Sequence, residues 1–356
     1  MIVNQWLPAA HKDDAVGGSA RRLRDVLRRM GYQSQIYALT IEDELQAEIR
    51  SFGDPEARRG DVTIFHFPLP SLMTEAFRSL TGARVLYYHN VTPAHFFAPY
   101  DPKLFRLGVL GRQQLSRLVG STDLALGVSD YNRRELEEIG FARTGVLPLA
   151  VDLLRLTSSP PVPALDRVFD NELVNFLFVG RIAPNKKIED HLKLAEHYKR
   201  YVDAYYRFIF VGRYDAVPRY YATIRALMAE YRLVNERFIF TGPVPDAELA
   251  AYYRHAAVYV SLSEHEGFCA PLVEAMAADV PVLAYATAAV PETLGGAGVQ
   301  FAPKDLEYAA ELLGALAFDD DLRAHVIAGQ RRRLRDFSDD QVERAVTEAL
   351  RQISNN

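Results

Sequence analysis

Short runs rich in β-branched and aromatic residues alternate with longer stretches of helical periodicity along nearly the whole chain, and no other feature restricts its folding so tightly. Strands that recur with helix-patterned segments between them are the signature of parallel sheets covered by helices, so the expected class is α/β. The first half predicts strands at 2–6, 35–39, 62–67, 84–88, 124–128 and 145–147. The second half restarts the pattern at 175–179, 208–211, 238–241, 258–261, 282–285 and 299–301. Between them TSSPPVPALDRVFD, residues 157–170, breaks the alternation with Pro and Ser and reads as an interdomain linker, with the boundary near residue 165.

A length of 356 residues also points to two domains, each able to bury a core. Hydrophobic residues at 49% and charged residues at 24% exclude disorder as the dominant state, and a net charge of −5 argues against nucleic acid as a partner. The lone Cys269 excludes an internal disulfide and any multi-cysteine metal site, as expected of a reducing compartment. The opening MIVNQWLPAAHKDD lacks the pattern of a secretory signal, and no uncharged apolar run reaches about 18 residues. The expected location is the cytoplasm, with any membrane contact peripheral.

Two open Rossmann-like sheets leave a cleft at the carboxyl ends of their strands, and ligands bind there, so the residues just after each strand are the candidates. The densest signal is SEHEGFCAPLVEAMAADVPVLAY, residues 263–285, where seven residues separate Glu266 from Glu274. Pro271 suits the first turn of a helix, which makes Gly267, Phe268, Cys269 and Ala270 the loop entering it. Free amides at that start suit a diphosphate, and Gly267 lets the backbone approach closely. Glu274, one turn inside, would repel phosphate and is better suited to accept from neutral hydroxyls such as those of a ribose; Glu266 can do the same for a sugar. The plain alternative is that both acids are solvated or support the helix.

In FLFVGRIAPNKKIED a buried strand ends at Gly180, Arg181 follows, and Lys186 and Lys187 open the next helix. Cations at a strand's carboxyl end suit a leaving diphosphate, although lysines there are commonly just solvated. Gly17 and Gly18 follow the first strand and read either as a tight turn or as a loop whose amides approach a ligand. His89 and Asn90 follow the strand RVLYY, which puts His89 in reach of a sugar hydroxyl. The other histidines have no metal-ligand spacing, and Asp319, Asp320 and Asp321 read as a helix start. Arginines at 21, 22, 24, 28 and 29, and Lys103, Arg106, Arg112 and Arg117 after HFFAPY, form basic faces that are either solvated or suited to anionic lipid.

Taken in order, Gly17-Gly18, YYHNVTP (87–93), LGVSDYNRREL (126–136), VLPLAVD (146–152), FVGRIAPNKK (178–187), the 263–285 segment and Val290-Pro291-Glu292 resemble the retaining glycosyltransferases of family 4, over nearly the entire chain. The resemblance implies a GT-B architecture, two facing Rossmann-like domains with an interdomain cleft. Residues 1–165 would bind the acceptor, 166–337 the nucleotide-sugar, and the helix in 338–356 would return to the first domain. It implies that Arg181 and Lys186 hold the diphosphate, Glu274 the ribose, and Glu266 with the amides of Phe268 and Cys269 the donor sugar and β-phosphate. His89 matches the histidine beside the reacting sugar, and TGPVP at 241–245, with Val244, is the candidate for contact with the base. No metal or other cofactor is expected.

The implied reaction is retaining transfer of a hexose, from GDP-mannose or a similar nucleotide-diphospho-sugar, to a glycan or polyprenyl-linked oligosaccharide in surface polysaccharide or lipopolysaccharide synthesis. The alternatives are a noncatalytic nucleotide-sugar-binding subunit or a nucleotide-sugar epimerase on the same architecture. The chain departs from the family pattern at Lys187, where glycine is frequent, and in LPLAVD, which lacks the usual Asn-Gly.

Overall fold

The computed structural model describes residues 1–12, 14–233 and 235–354. The chain divides into two compact units, one of Met1–His95, Lys103–Asp152 and Asp336–Asn356, the other of Phe96–Pro102 and Leu153–Arg335.

The first unit is built on β1 (Ile2–Ala10), β2 (Gln33–Ile41), β3 (Arg50–Ser51), β4 (Val62–Phe67), β5 (Ala83–Tyr88), β6 (Leu124–Gly127) and β7 (Thr144–Val146). All pair in parallel, in the order β3-β2-β1-β4-β5-β6-β7. Helices α1 (Ala15–Arg29), α2 (Met73–Arg78), α3 (Pro102–Leu118) and α4 (Asp130–Ile139) make crossovers. Every residue of β4 is buried, as a parallel strand covered on both faces requires. Trp6 anchors the core, its ring edge-on to Phe52 at 4.8 Å and its Nε1 donating to the Ala57 carbonyl at 2.9 Å. α4 begins where Ser129 Oγ accepts from the Asn132 amide and stops at Gly140 in the left-handed region. β1 and β2 outrun the predicted 2–6 and 35–39, pairing from Ile2 with Gln33 to Ala10 with Ile41; Pro8, Ala9 and Ala10 in β1 and Gln33 and Ser34 in β2 carry no strand signal of their own.

The second unit opens with α5 (Leu154–Thr157) and α6 (Pro163–Phe169). Then follow β8 (Val174–Val179), α7 (Ile188–Tyr201), β9 (Tyr206–Val211), α8 (Pro218–Glu230), β10 (Phe238–Gly242), α9 (Asp246–Arg254), β11 (Val258–Ser261), α10 (Ala270–Ala277), β12 (Val282–Tyr285), α11 (Val290–Leu294), β13 (Val299–Phe301), α12 (Leu306–Phe318) and α13 (Asp320–Arg333). Its sheet is also parallel, in the order β10-β9-β8-β11-β12-β13. Facing rings stack across it, Phe210 on Phe240 at 4.7 Å, in the register that pairs those residues. Asp319 caps α13 by accepting from the Leu322 amide, so the acidic triplet is a helix start. The last helix, α14 (Asp339–Ser354), is part of the first unit, where Arg22 and Arg29 of α1 pair with Asp339.

The Pro- and Ser-rich stretch is not an open linker, and the units divide after Asp152 rather than near residue 165. Pro163 sits in the first turn of α6, where its fixed φ favours a helix. Phe169 is buried edge-on to Tyr252, and Asp166 Oδ1 lies 2.8 Å from His255 Nε2, so α6 docks on α9.

Candidate functional site

In each sheet the strand order reverses once, between β1 and β4 in the first and between β8 and β11 in the second. At such a point the connections leave to opposite sides and open a crevice at the carboxyl ends. The loops leaving β8 and β11 carry most of the candidates of the second unit.

After β8, Gly180 adopts φ 151° and Arg181 points to solvent, with no side-chain partner among the described residues. Pro184–Lys186 form a single 3₁₀ turn, and Lys187 caps α7 in the left-handed region at φ 53°. That conformation explains why the family pattern favours glycine here; this chain holds a lysine in it instead, with Nζ 3.3 Å from Glu189 and 3.5 Å from Glu264. Asn185 ties the loop to the one leaving β11: its carbonyl accepts from the Glu264 amide at 2.8 Å and its Nδ2 donates to the His265 carbonyl at 3.1 Å. The tie brings Lys186 Nζ within 2.5 Å of Glu266 Oε1. Glu266 is buried and Lys186 mostly so, and their charges largely offset each other. The exposed positive charge at the end of β8 therefore rests on Arg181.

Downstream of Glu266, Gly267 and Phe268 lead to Cys269, which stands at φ 69° immediately before α10. A non-glycine residue there costs about 1 kcal/mol, and it is held by its surroundings. Thr293 Oγ1 donates to the Phe268 carbonyl at 2.5 Å, and the Ala289 amide to the Glu266 carbonyl at 3.3 Å. Burial, reinforced by the Glu266 charge, pushes the Cys269 thiol well above its ordinary range and keeps it protonated. Pro271 lies in the first turn of α10, as expected, but Ala270 is already the first residue of that helix rather than part of the loop, because Cys269 is its N-cap. One turn in, Glu274 is engaged at both oxygens: Arg155 Nη2 donates to Oε1 at 2.6 Å, and the buried Tyr253 hydroxyl lies 3.1 Å from Oε2. Val244 is half-buried in the loop after β10, at the edge of the same sheet.

In the first unit, His89 follows β5 as predicted and stacks on His66 of β4, ring centroids 5.1 Å apart. His89 Nε2 lies 2.9 Å from His66 Nδ1, and His66 Nε2 lies 2.9 Å from Gln5 Oε1. With Gln5 presenting its oxygen, His66 carries its proton on Nε2 and accepts from His89 Nε2–H. The lone pair of His89 Nδ1 then has no partner among the described residues. Burial holds His66 down to about 3, and burial with His66 beside it holds His89 well below its usual range, so both are neutral.

Gly17 and Gly18 are not a loop. Both lie in the first turns of α1, where the Gly17 amide donates to Asp14 Oδ2 and the Gly18 amide to the Asp14 carbonyl. Neither amide is left for a ligand. Two of the basic residues of α1 are similarly occupied, Arg24 with Asp25 and Glu48, and Arg28 with the Ser34 carbonyl.

Residues 167–333 match the family described as Glycosyl transferases group 1. O-antigen chain mannosyltransferase B of Escherichia coli is 25% identical over 326 residues, covering 89% of this chain and 80% of that one. A GDP-mannose-dependent alpha-mannosyltransferase of Mycobacterium tuberculosis is 27% identical over 271 residues, covering 74% and 66%. The chain is a glycosyltransferase that carries a group 1 domain over residues 167–333. The fold agrees: WaaG, a glycosyltransferase involved in lipopolysaccharide biosynthesis, superposes with a TM-score of 0.70 over 97% of this chain and 99% of that one at 14% identity. The two parallel α/β units of this glycosyltransferase are thus those of the GT-B fold, and as an enzyme it is a hexosyltransferase.

Sequence reasoning about this glycosyltransferase missed four residues that support the candidates: Asn185, His66, Tyr253 and Arg155. Asn185 stood inside a quoted motif and His66 inside a predicted strand. Arg155 lies 119 positions from Glu274, and nothing local in the sequence announces that pairing.

Proposed function

We propose that this glycosyltransferase moves a hexose from a nucleotide-diphospho-sugar, with GDP-mannose the favoured donor, to a sugar hydroxyl of a glycan or lipid-linked oligosaccharide in surface polysaccharide synthesis. The observation that carries the reading is the cluster at the carboxyl ends of β8 and β11, with Arg181, the Lys186–Glu266 pair and the start of α10 on two joined loops. Arg181, Lys186 and the amides entering α10 take the diphosphate and do for its growing charge what a metal ion does elsewhere. Glu274 takes the ribose hydroxyls, Glu266 the donor sugar, and Val244 the neighbourhood of the base. His89 offers the unpartnered Nδ1 to a sugar hydroxyl.

The transfer retains configuration. The acceptor oxygen bonds to the anomeric carbon on the face that the phosphate oxygen leaves, and the acceptor proton passes to that leaving phosphate. The mannosyltransferase names of the two relatives support the donor, and the O-antigen relative supports the setting. Neither relative favours a noncatalytic subunit or an epimerase. The enzyme works at the cytoplasmic membrane face, docking through α3. There Phe105, Leu107, Val109 and Leu110 are exposed beside Lys103 and Arg106, an apolar and basic combination suited to anionic lipid. No described helix is long and apolar enough to cross a membrane.

Calorimetric titration with GDP, UDP and ADP, with magnesium and again with EDTA, tests the site. GDP binding in the micromolar range that EDTA leaves unchanged is expected. Binding of none, or binding that requires magnesium, overturns the assignment of Arg181, Lys186 and Glu274. Transfer from GDP-mannose to a mannosyl acceptor, with the anomer read by NMR, then tests donor and stereochemistry.

A further inference from the structure

The short helix just before the Pro- and Ser-rich segment delivers a cation to the proposed ribose group. Arg155 sits on the short helix α5, which packs against α9 and α10. Its guanidinium spans the two: Nη1 lies 2.7 Å from Asp246 Oδ1 at the start of α9, and Nη2 lies 2.6 Å from Glu274 Oε1 on α10. Tyr253, also on α9, approaches the other Glu274 oxygen at 3.1 Å. Burial works against the charge of Arg155, yet Glu274 and Asp246 outweigh it, so the guanidinium is held more firmly protonated than usual.

An ionised carboxylate offers about four lone-pair sites, two on each oxygen. Arg155 and Tyr253 occupy one on each, which fixes the carboxylate's plane and leaves one acceptor site per oxygen. Two adjacent acceptor sites match the two adjacent hydroxyls of a ribose. Without Arg155, a glutamate side chain on an eight-residue helix has rotamers to choose among, and ordering it falls to the ligand.

We infer that Arg155 is a positioning residue for the donor nucleotide: it acts through Glu274, holding that carboxylate oriented to receive the vicinal hydroxyls of the ribose. The inference rests on the reading of Glu274 given above. It assigns Arg155 no contact with the nucleotide, and it makes the Arg155–Glu274 ion pair a part of the bound state.

The test compares GDP with 2′,3′-dideoxy-GDP, which lacks both hydroxyls, by titration calorimetry on the full chain. Wild type is expected to bind the dideoxy nucleotide about tenfold more weakly. Arg155→Ala is expected to lose a similar factor toward GDP and less than about twofold toward the dideoxy nucleotide, because the group it positions has nothing to hold there. Equal losses toward both nucleotides, no loss toward GDP, or tighter GDP binding would each overturn the inference. Arg155→Lys keeps the charge but not the two-armed bridge, and is expected to show the same selective loss in smaller measure; it decides the matter if the alanine variant does not fold. Wild type binding both nucleotides alike would instead remove Glu274 from the ribose, and the underlying reading would fall with it.

Discussion

Lys186 Nζ stands 2.5 Å from Glu266 Oε1, and the two side chains belong to loops that leave neighbouring parallel strands. Removing one partner of a mostly buried pair strands the other's charge, which costs about 3 kcal/mol at full burial and less for a lysine that keeps some exposure. Lys186→Ala is therefore expected to lower both the melting temperature and nucleotide affinity. The double variant Lys186→Met with Glu266→Gln should recover most of the melting temperature and none of the affinity. Recovery of both in calorimetry would make the pair purely structural.

Buried histidines make the fold acid-sensitive. Burial holds His66 down to about 3 and His191 down to about 4, against an ordinary value of 6.5. Below 6.5 the unfolded chain takes up protons that the folded chain refuses, so the stability these groups contribute is complete above that pH and is lost as pH falls toward 4. His66→Gln should reduce the slope of unfolding free energy against pH between 6 and 4.5 by about 1.4 kcal/mol per pH unit, one proton's worth. Urea unfolding at several pH values measures it; an unchanged slope would mean that folded His66, in contact with His89, already titrates normally.

Gly18 lies in α1, and a Cβ added there meets nothing within 4 Å. Glycine in a helix costs roughly 0.5–1 kcal/mol relative to alanine. Gly18→Ala is expected to gain about that much in urea unfolding. A loss of stability would mean that this turn is not helical in solution.

Lys187 reverses the usual order of alanine and glycine. Its φ of 53° penalises any side chain, while its ammonium pairs with Glu189 and Glu264. Lys187→Ala loses the pairs and keeps the strain; Lys187→Gly loses the pairs and the strain. The glycine variant should be the more stable of the two by about 1 kcal/mol, as measured by thermal melts. Alanine equal to glycine would show that the strain is relieved elsewhere.

The α/β class and the strands at 62–67, 258–261 and 282–285 could be read with their limits because a parallel strand covered on both faces is a largely apolar run. β3, two residues long, has too few to signal anything. The Gly-Gly pair and the Pro-Ser stretch misled in the same way: both compositions favour loops on average, and here a capping Asp14 and a helix-starting Pro163 decide otherwise. The crevice residues after β8 and β11 could be located because topology fixes where strands end. Their partners could not, since Arg155, Tyr253 and His66 reach the candidates through tertiary contacts that carry no local pattern.

The backbone at Cys269 joins strain to chemistry in a way that gives the enzyme a built-in reporter. The chain's single sulfhydryl lies on the loop where the donor's phosphates are proposed to bind, buried and protonated beside Glu266. A disulfide reagent can reach it only when that loop opens, so the rate of thiol labelling clocks the opening, and slower labelling with GDP present would time the loop's closure without a probe being engineered into the protein.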